Sequence, residues 1–297
     1  MPSDLRVLTD GWAFLESPRW RDGRFWISDF YTHAVLAVTL DGAVEEMARV
    51  PAQPSGLGWL PDGTPLVVSM RDRKVVRIGA DGTLSEHADL NGVLRGWLND
   101  MVVDDRGRAY VGSFGYERDV EPVVPSGIAL VEADGCTRLV ADDLYFPNGM
   151  VITPDGTLVV AESRGNRLTA FDIAPDGSLS GRREWARFAD PPAREALETA
   201  LETATVAPDG LALDAEGCIW VADAAGWRAI RVREGGEIVD AIADDGFNVF
   251  ACGLGGDDGR TLALCLSPAM GPATAANPRA RLAVVEVDVA GAGRPFA

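Results

Sequence analysis

The feature that most restricts the fold of this 297-residue chain is a strand–turn–strand pattern that occurs six times. Each copy has a small or polar first residue, an apolar run, a glycine-containing turn and a second apolar run. The turn glycines are Gly23, Gly63, Gly107, Gly156, Gly217 and Gly259, and their successive spacings are 40, 44, 49, 61 and 42 residues. Glycine suits these turns because hairpins need a positive φ, which a residue without Cβ adopts at little cost.

The length of the repeat predicts a propeller. Units of about 40–50 residues with several strands each are typical of propeller blades. A third apolar run follows most of the hairpins, as in RKVVRIGADG and NRLTAFDIAPDG. Because a single blade cannot bury both of its faces, six blades are expected to close into a ring. We therefore predict an all-β fold in which residues 1–297 form one six-bladed β-propeller domain.

The 61-residue interval between the fourth and fifth turn glycines is too long for a blade alone. Most of the excess lies in residues 191–206, where Ala, Leu and Glu dominate and Leu197 and Leu201 are four apart. This composition predicts a short helical insertion between the fourth and fifth repeats. Two roles remain open for it, a solvated surface insertion or a lid over one end of the central channel.

Composition excludes several classes of partner and site. The chain has 45 acidic and 27 basic residues, and its formal charge of −18 disfavours nucleic acids and anionic membranes. The N-terminus lacks a basic, then apolar, signal pattern, and no run approaches the roughly 18 apolar residues of a membrane span. Four cysteines without CxxC pairing favour the cytoplasm. Two histidines exclude an imidazole-rich metal site and supply a Ser-His-Asp triad poorly.

The first residues of the aligned repeats point to a site. Eight positions before the turn glycine stand Ser55, Asn99, Asn148, Asp209 and Ala251, and Glu16 stands seven before. The first strand of a blade lines the channel, so these side chains are expected to converge at one mouth. Carboxylate and amide oxygens are the ligands that Ca²⁺ and Mg²⁺ prefer. The alternative is that the Asn-Gly and Asp-Gly pairs are simply turn residues.

Five segments carry a further resemblance: ESPRW, LNDMVVDDRGRAYVGSFG, FPNGMVITPDGTLVVAES, PDGLALDAEGCIWVAD and ACGLGGDDGRTLALC. They resemble the SMP-30/gluconolactonase/luciferin-regenerating-enzyme family over nearly the whole chain. The resemblance implies a six-bladed propeller with one divalent metal in the channel, and a hydrolase of lactones. It also implies that Glu16, Asn148 and Asp209 are metal ligands and that Asn99 faces the substrate. The all-oxygen ligand set favours Ca²⁺ over Zn²⁺, and Zn²⁺, Mn²⁺ and Mg²⁺ are the alternatives to Ca²⁺.

The implied mechanism needs no Ser or Cys nucleophile. The metal would polarise the lactone carbonyl and lower the pKa of a bound water. Asp209 is the candidate general base, since it is a carboxylate beside that metal, and Asn99 would orient the ring by a hydrogen bond. The expected partner is a small-molecule lactone or ester.

One departure from the family pattern concerns specificity. Relatives that act on sugar lactones often carry an arginine two residues before the asparagine that Asn99 resembles, and here that residue is Trp97. Trp97 either forms an apolar wall, which favours a less polar lactone than gluconolactone, or packs between blades. The loop of residues 113–127 is expected to shape the pocket through Tyr116, Glu117 and Arg118.

The sequence is also compatible with two other functions. A propeller can serve as a non-catalytic binding module, because fold does not fix function. The same metal site can also support an esterase or a phosphotriesterase. The inward cluster of oxygen atoms favours an enzyme over a binding module.

Overall fold

In the computed structural model, which describes residues 5–117, 120–244 and 246–293, the strands form six four-stranded antiparallel sheets. Each sheet is one blade, and its first strand packs against the first strands of the neighbouring blades around a central channel. The predicted all-β, six-bladed propeller is therefore confirmed. No helix in the described ranges is long and apolar enough to cross a membrane.

The first three blades follow one another along the chain. Blade 1 contains β2 (Leu15–Arg21), β3 (Arg24–Asp29), β4 (Ala34–Thr39) and β5 (Val44–Arg49). Blade 2 contains β6 (Pro54–Trp59), β7 (Pro65–Ser69), β8 (Lys74–Ile78) and β9 (Leu84–Asp89). Blade 3 contains β10 (Leu98–Val103), β11 (Ala109–Ser113), β12 (Ser126–Val131) and β13 (Thr137–Leu144).

The remaining blades complete the ring. Blade 4 contains β14 (Pro147–Ile152), β15 (Thr157–Glu162), β16 (Arg167–Ile173) and β17 (Leu179–Arg187). Blade 5 contains β18 (Pro208–Leu213), β19 (Ile219–Asp223), β20 (Arg228–Val232) and β21 (Ile238–Ala243). Blade 6 contains β22 (Asn248–Gly255), β23 (Thr261–Ser267), β24 (Ala280–Glu286) and, from the other end of the chain, β1 (Arg6–Trp12).

The outer strand of blade 6 comes from the N-terminal part of the sequence. β1 pairs antiparallel with β24, with Arg6 opposite Val284 and Trp12 opposite Ala280. This pairing closes the ring with hydrogen bonds as well as with side-chain packing. The repeat pattern predicts closure but does not reveal which segment supplies this strand.

The hairpin turns use glycine as the sequence predicts. All six turn glycines have φ between 74° and 88°, a conformation that disfavours any residue with a Cβ atom. Each turn joins the first and second strands of one blade. The turns therefore fix where the first strand of each blade ends relative to the channel.

Apolar packing between neighbouring blades forms most of the core. Between blades 1 and 2, the Trp26 and Trp59 rings meet edge to face at 5.5 Å, beside the buried side chains of Val35, Leu57 and Val67. Burying a side chain such as Leu57 contributes about 1.5–3 kcal/mol to folding. The first and second strands of the blades are almost entirely buried, whereas most residues of the outer strands are exposed or half-buried. The best-buried strands are therefore those nearest the channel.

The insertion between blades 4 and 5 contains a 3-10 helix, Arg194–Glu202. The predicted short helical insertion in this interval is therefore confirmed, and two residues of the helix, Leu197 and Ala200, are buried. A second 3-10 helix, Pro272–Ala276, lies between β23 and β24. The first of these helices stands next to the mouth of the channel described below.

Candidate active site

The channel strands are irregular at the positions that carry the predicted site residues. Glu16, Asn99, Asn148 and Asp209 are each the second residue of their strand, β2, β10, β14 and β18. In all four strands the pairing with the next strand shifts within the first few residues. Such bulges redirect a side chain out of the regular ladder. The same shift occurs in β6 at Ser55, so it is a feature of the repeated blade.

The glycine that follows a site residue allows adjacent channel strands to approach closely. A Cβ atom on Gly149 would lie 2.4 Å from the Asp209 carbonyl oxygen, and one on Gly210 would lie 2.7 Å from the Ala251 Cα. These glycines lie inside β14 and β18. The Asn-Gly and Asp-Gly pairs are therefore strand residues whose glycines permit tight packing around the channel, and not turn residues.

The four side chains line one cavity of about 310 Å³ at the channel mouth. Two aligned residues of other repeats, Ser55 and Ala251, are not among its lining residues, and blade 6 contributes Asn248 instead. The remaining walls are mostly apolar and come from five of the six blades, the 3-10 insertion and the segment after β23: Phe14, Phe30, Phe114, Phe146, Ser163, Leu201, Ala207, Ala224, Ala225, Phe250, Pro268, Ala269 and Met270.

Two carboxyl groups in this cavity resist ionisation. Glu16 and Asp209 are 9% and 8% exposed. Burial raises the pKa of Glu16 well above its usual range, and the negative charges of Asp209 and Asp100 raise it further. Burial and the charge of Asp100 likewise raise the pKa of Asp209, which a hydrogen bond with the Asn148 amide partly opposes. A cation between the two carboxylates would relieve both the desolvation and the mutual repulsion.

The polar atoms around these carboxyls are only partly satisfied. Asn148 Nδ2 donates to Ser163 Oγ at 3.1 Å, which directs the amide oxygen away from that serine. Ser163 Oγ in turn donates to the Pro208 carbonyl oxygen at 2.7 Å. Asp209 Oδ1 and Asn99 Nδ2 are buried without a hydrogen-bond partner. Buried polar atoms of this kind are rare in native proteins and mark positions where a ligand is expected.

The oxygen atoms present fit a hard divalent cation. Within the described ranges, no three His, Cys, Asp or Glu side chains form a metal-binding group. The candidate set instead combines the carboxylates of Glu16 and Asp209 with the carboxamide of Asn148. This is oxygen chemistry suited to Ca²⁺, which accepts carboxylate and amide ligands together.

Sequence reasoning missed most of the apolar wall. Five phenylalanines line the cavity: Phe14, Phe30, Phe114, Phe146 and Phe250. The Phe114 and Phe146 rings lie 4.4 Å apart, and the Phe14 and Phe250 rings lie 4.8 Å apart. A signal was present in the repeats, since Phe14 and Phe146 each stand two residues before a predicted ligand, and Phe30 and Phe114 directly follow a second strand.

The other predicted substrate residues lie outside this cavity. Trp97 packs under the Arg71 guanidinium, 4.7 Å from the ring centre, and touches Phe114 edge to face at 6.4 Å. The Tyr116 hydroxyl is buried and accepts a hydrogen bond from Arg164. Glu117 is partly exposed and pairs with Arg73. Arg118 lies outside the described residues.

The 3-10 insertion contributes directly to the cavity. Leu201 lines it, and Arg164 holds the insertion in place from below. Arg164 Nη1 donates to the carbonyl oxygens of Leu197 and Glu198 at 2.6 and 3.0 Å, and Nη2 donates to Tyr116 Oη at 3.1 Å. The insertion is thus a wall of the site as well as a surface segment.

A buried ion pair separates this cavity from a second one at the opposite mouth. Arg19, three residues after Glu16 on β2, pairs with Asp100 at 3.0 Å. Arg19 also lines the second cavity, of about 500 Å³, together with Trp20 and Leu254. Cys252 lies in the channel wall, where its Sγ donates to Gly210 and Trp220 carbonyl oxygens and burial raises its pKa to about 12.

Comparison with known proteins identifies the family. Residues 14–267 match the SMP-30/Gluconolactonase/LRE-like region, a span that contains all four oxygen-bearing site residues. The chain belongs to this family. A curated relative from Pseudomonas putida, a 6-deoxy-6-sulfogluconolactonase, is 26% identical over 225 residues, which cover 75% of this chain and 71% of the relative.

Two solved structures share the fold over nearly the whole chain. The calcium-binding protein regucalcin from Agrobacterium tumefaciens superposes with a TM-score of 0.79 at 20% identity, covering 99% of this chain and 96% of that one. A gluconolactonase from Xanthomonas campestris superposes with a TM-score of 0.74 at 21% identity, covering 95% of this chain and 89% of that one. At these identities the likeness supports the propeller fold.

Proposed function

We propose that this protein is a hydrolase that opens a lactone ring with the help of a divalent cation held by Glu16, Asn148 and Asp209. One observation carries the proposal. Two buried carboxyl groups with raised pKa values and the unpartnered Asp209 Oδ1 face one cavity. The family to which the chain belongs includes proteins named as lactonases.

Calcium is the cation that the donor set favours. Each ligand would contribute oxygen, and the two carboxylates would neutralise the charge of a divalent ion. Zinc sites in proteins usually include nitrogen or sulfur ligands. The cavity supplies neither, since its lining contains no His or Cys. Mg²⁺ and Mn²⁺ remain the alternatives to test.

The chain's own residues would share the chemistry. When bound, the cation would polarise the lactone carbonyl and lower the pKa of a coordinated water. Asp209 would take the proton from the attacking water through Oδ1 and later return it to the leaving alkoxide. Asn99 Nδ2 would donate a hydrogen bond to a substrate oxygen, which fits its present lack of a partner. The phenylalanine wall would exclude bulk water from these groups.

The walls favour a lactone with an apolar substituent. The five phenylalanines, Leu201 and Met270 line the same cavity as the oxygen-bearing residues, and few polar groups are available for sugar hydroxyls. A sugar ring would leave several hydroxyl groups without hydrogen-bond partners, which is costly in a buried site. We therefore infer a substrate that is less polar than gluconolactone. The phenylalanines of the cavity wall support this inference, whereas Trp97 does not line the cavity.

The decisive experiment measures metal content and hydrolysis together. Protein stripped with a chelator and repleted with Ca²⁺, Mg²⁺, Mn²⁺ or Zn²⁺ is assayed on sugar lactones, alkyl-substituted γ- and δ-lactones, aryl esters and a phosphotriester. We expect Ca²⁺-dependent opening of alkyl lactones. Asp209→Asn keeps a ligand oxygen but removes the base, so kcat should fall about 10²–10⁴-fold. Cation-independent hydrolysis, or full activity of this variant, contradicts the proposal.

The substrate panel also separates the competing functions. Preference for the aryl ester or the phosphotriester would replace the lactonase assignment with one of the other hydrolases. Faster turnover of sugar lactones than of alkyl lactones would refute the inferred substrate class but leave the metal-dependent mechanism in place. Leu139→Ser, on the exposed face of β13, serves as a control variant with an unchanged profile.

A further inference from the structure

The last residue of the second strand distinguishes the blades that carry the three candidate ligands. In blades 1, 4 and 5, which hold Glu16, Asn148 and Asp209, this residue is a carboxylate: Asp29, Glu162 and Asp223. In blades 2, 3 and 6 it is a serine: Ser69, Ser113 and Ser267. The three carboxylate side chains are completely buried, although none of them lines the cavity. A buried carboxylate is costly unless its hydrogen bonds are satisfied, so each one calls for a structural reason.

Asp29 joins two segments that line the cavity. Its Oδ2 accepts the Ala13 backbone N–H at 3.0 Å, and its Oδ1 accepts the Phe14 backbone N–H at 3.0 Å. Oδ1 also accepts the Tyr31 N–H at 3.3 Å, beside the cavity residue Phe30. Asp29 therefore fixes the backbone two and three residues before Glu16 to the end of β3.

Asp223 makes the same connection in blade 5. Its Oδ1 accepts the Ala207 N–H at 3.1 Å, two residues before Asp209. The same oxygen accepts the N–H groups of Ala225 and Gly226 at 3.3 and 3.0 Å, while Oδ2 faces Arg228 Nε at 3.1 Å. Ala207 and Ala225 both line the cavity. One carboxylate oxygen thus ties the two blade-5 segments of the cavity wall together.

Glu162 repeats the arrangement in blade 4. Its Oε2 accepts the Tyr145 N–H at 2.8 Å, three residues before Asn148. Arg167 and Thr169 donate to its Oε1. Two of the serines make different hydrogen bonds. Ser113 shares one with the Ser126 hydroxyl, and Ser267 donates to the Ala269 carbonyl oxygen.

From this coincidence we infer that Asp29, Glu162 and Asp223 are positioning residues that pre-organise the three cation ligands. Each carboxylate fixes the backbone just before a ligand, so the ligand oxygens are held in place before the cation arrives. The inference rests on the proposed function, since it concerns the cation held by Glu16, Asn148 and Asp209. Residues that orient metal ligands typically change metal affinity about 10- to 100-fold when they are removed.

Asp223 allows the sharpest test. Asp223→Asn retains Oδ1 and with it the three backbone hydrogen bonds, and the partly exposed Arg228 can turn towards solvent. Asp223→Ser gives blade 5 the residue that blades 2, 3 and 6 carry, and a serine is too short to bridge the two segments. Ser69→Ala, at the same position of blade 2, is the matched control because neither Ser69 nor its strand lines the cavity. Asp29→Ser is a second variant, because three backbone N–H groups donate to the Asp29 carboxylate.

The readout is Ca²⁺ affinity by calorimetry, with folding checked by circular dichroism and kcat and KM measured at saturating cation. We expect Asp223→Ser and Asp29→Ser to bind Ca²⁺ at least about tenfold more weakly. Asp223→Asn and Ser69→Ala should stay within about threefold of the wild type. If the wild type binds Ca²⁺ and folded Asp223→Ser or Asp29→Ser binds it with the same affinity, the positioning role alone is overturned. Absence of any divalent-cation binding by the wild type overturns the proposed function as well.

Discussion

Arg19 and Asp100 form an ion pair inside the central channel, at 3.0 Å and with both side chains at least nine-tenths buried. Ser17 donates a further hydrogen bond to Asp100, so the pair connects β2 to β10 directly beneath the candidate site. Removing one member of such a pair leaves a buried charge without compensation. The consequences for stability can be measured separately from catalysis.

Arg19→Met should lower the free energy of unfolding by about 3–5 kcal/mol, because Asp100 would lose its charged partner in the channel. The double variant Arg19→Met/Asp100→Leu should recover much of that loss. Arg233→Met, which breaks the exposed pair with Glu237, should leave stability unchanged. Urea denaturation measures all three, and a small loss for Arg19→Met would show that water or another group replaces the arginine.

In the cation-free protein, Glu16 and Asp209 should contribute less to stability as pH rises. Burial raises the pKa values of Glu16 and Asp209 in the folded state, so the folded protein retains protons that the unfolded chain releases. The contribution of these two groups to stability is then greatest below the ordinary carboxyl pKa and is lost as pH rises through the folded-state values. Denaturation in chelator across this range should show a smaller decrease for Glu16→Gln/Asp209→Asn than for wild type. Equal pH dependence in both proteins contradicts the raised pKa values.

Leu201→Ser should weaken binding of alkyl-substituted lactones with little effect on kcat. Leu201 lines the cavity from the 3-10 insertion and carries no oxygen or nitrogen in its side chain that could hold the cation or the reacting carbonyl. Loss of roughly 1 kcal/mol of apolar contact corresponds to a KM increase of about fivefold. An unsubstituted lactone, which does not reach this wall, should show no change. A similar increase for both substrates would mean that the substitution disturbs the whole site.

Arg164→Met should loosen the insertion without unfolding the blades. Arg164 is buried and holds the carbonyl oxygens of Leu197 and Glu198, together with the Tyr116 hydroxyl. Hydrogen exchange across Arg194–Glu202 should accelerate, and KM for alkyl lactones should rise. Arg187→Met, at an exposed pair with Glu184, is the control. Unchanged exchange in Arg164→Met would show that other contacts hold the insertion.

The repeat made the fold predictable. Each of the six hairpin turns requires a residue with positive φ, and this requirement does not depend on tertiary contacts. All six turn glycines have positive φ. Glu16, Asn99, Asn148 and Asp209 could be aligned for the same reason, since each occupies the second position of a channel strand. Local sequence is sufficient for features that every blade repeats.

Features that depend on neighbouring blades were not predictable in this way. Trp97 stands two residues before Asn99, as Phe14 and Phe146 stand before Glu16 and Asn148, yet only the phenylalanines line the cavity. Trp97 is placed instead by Arg71 of blade 2, across a blade boundary. The bonds of Asp29, Glu162 and Asp223 stay within one blade, but they depend on how the end of the second strand lies beside the segment before the first, which the strand pattern alone does not specify.

The pairing of β1 with β24 has a consequence for synthesis on the ribosome. The ribosome makes the three candidate ligands, Glu16, Asn148 and Asp209, well before the residues that close the ring. Ring closure needs the pairing of Arg6 with Val284, which is made much later. Contacts of such large sequence separation form late and slowly. Until then the newly made strand β1 has no partner, and Glu16, which follows it by only a few residues, lies in a blade that has no neighbour on one side. The ring around the site therefore closes only after β24 has been made, and a ribosome that stalls before residue 280 leaves the ring open.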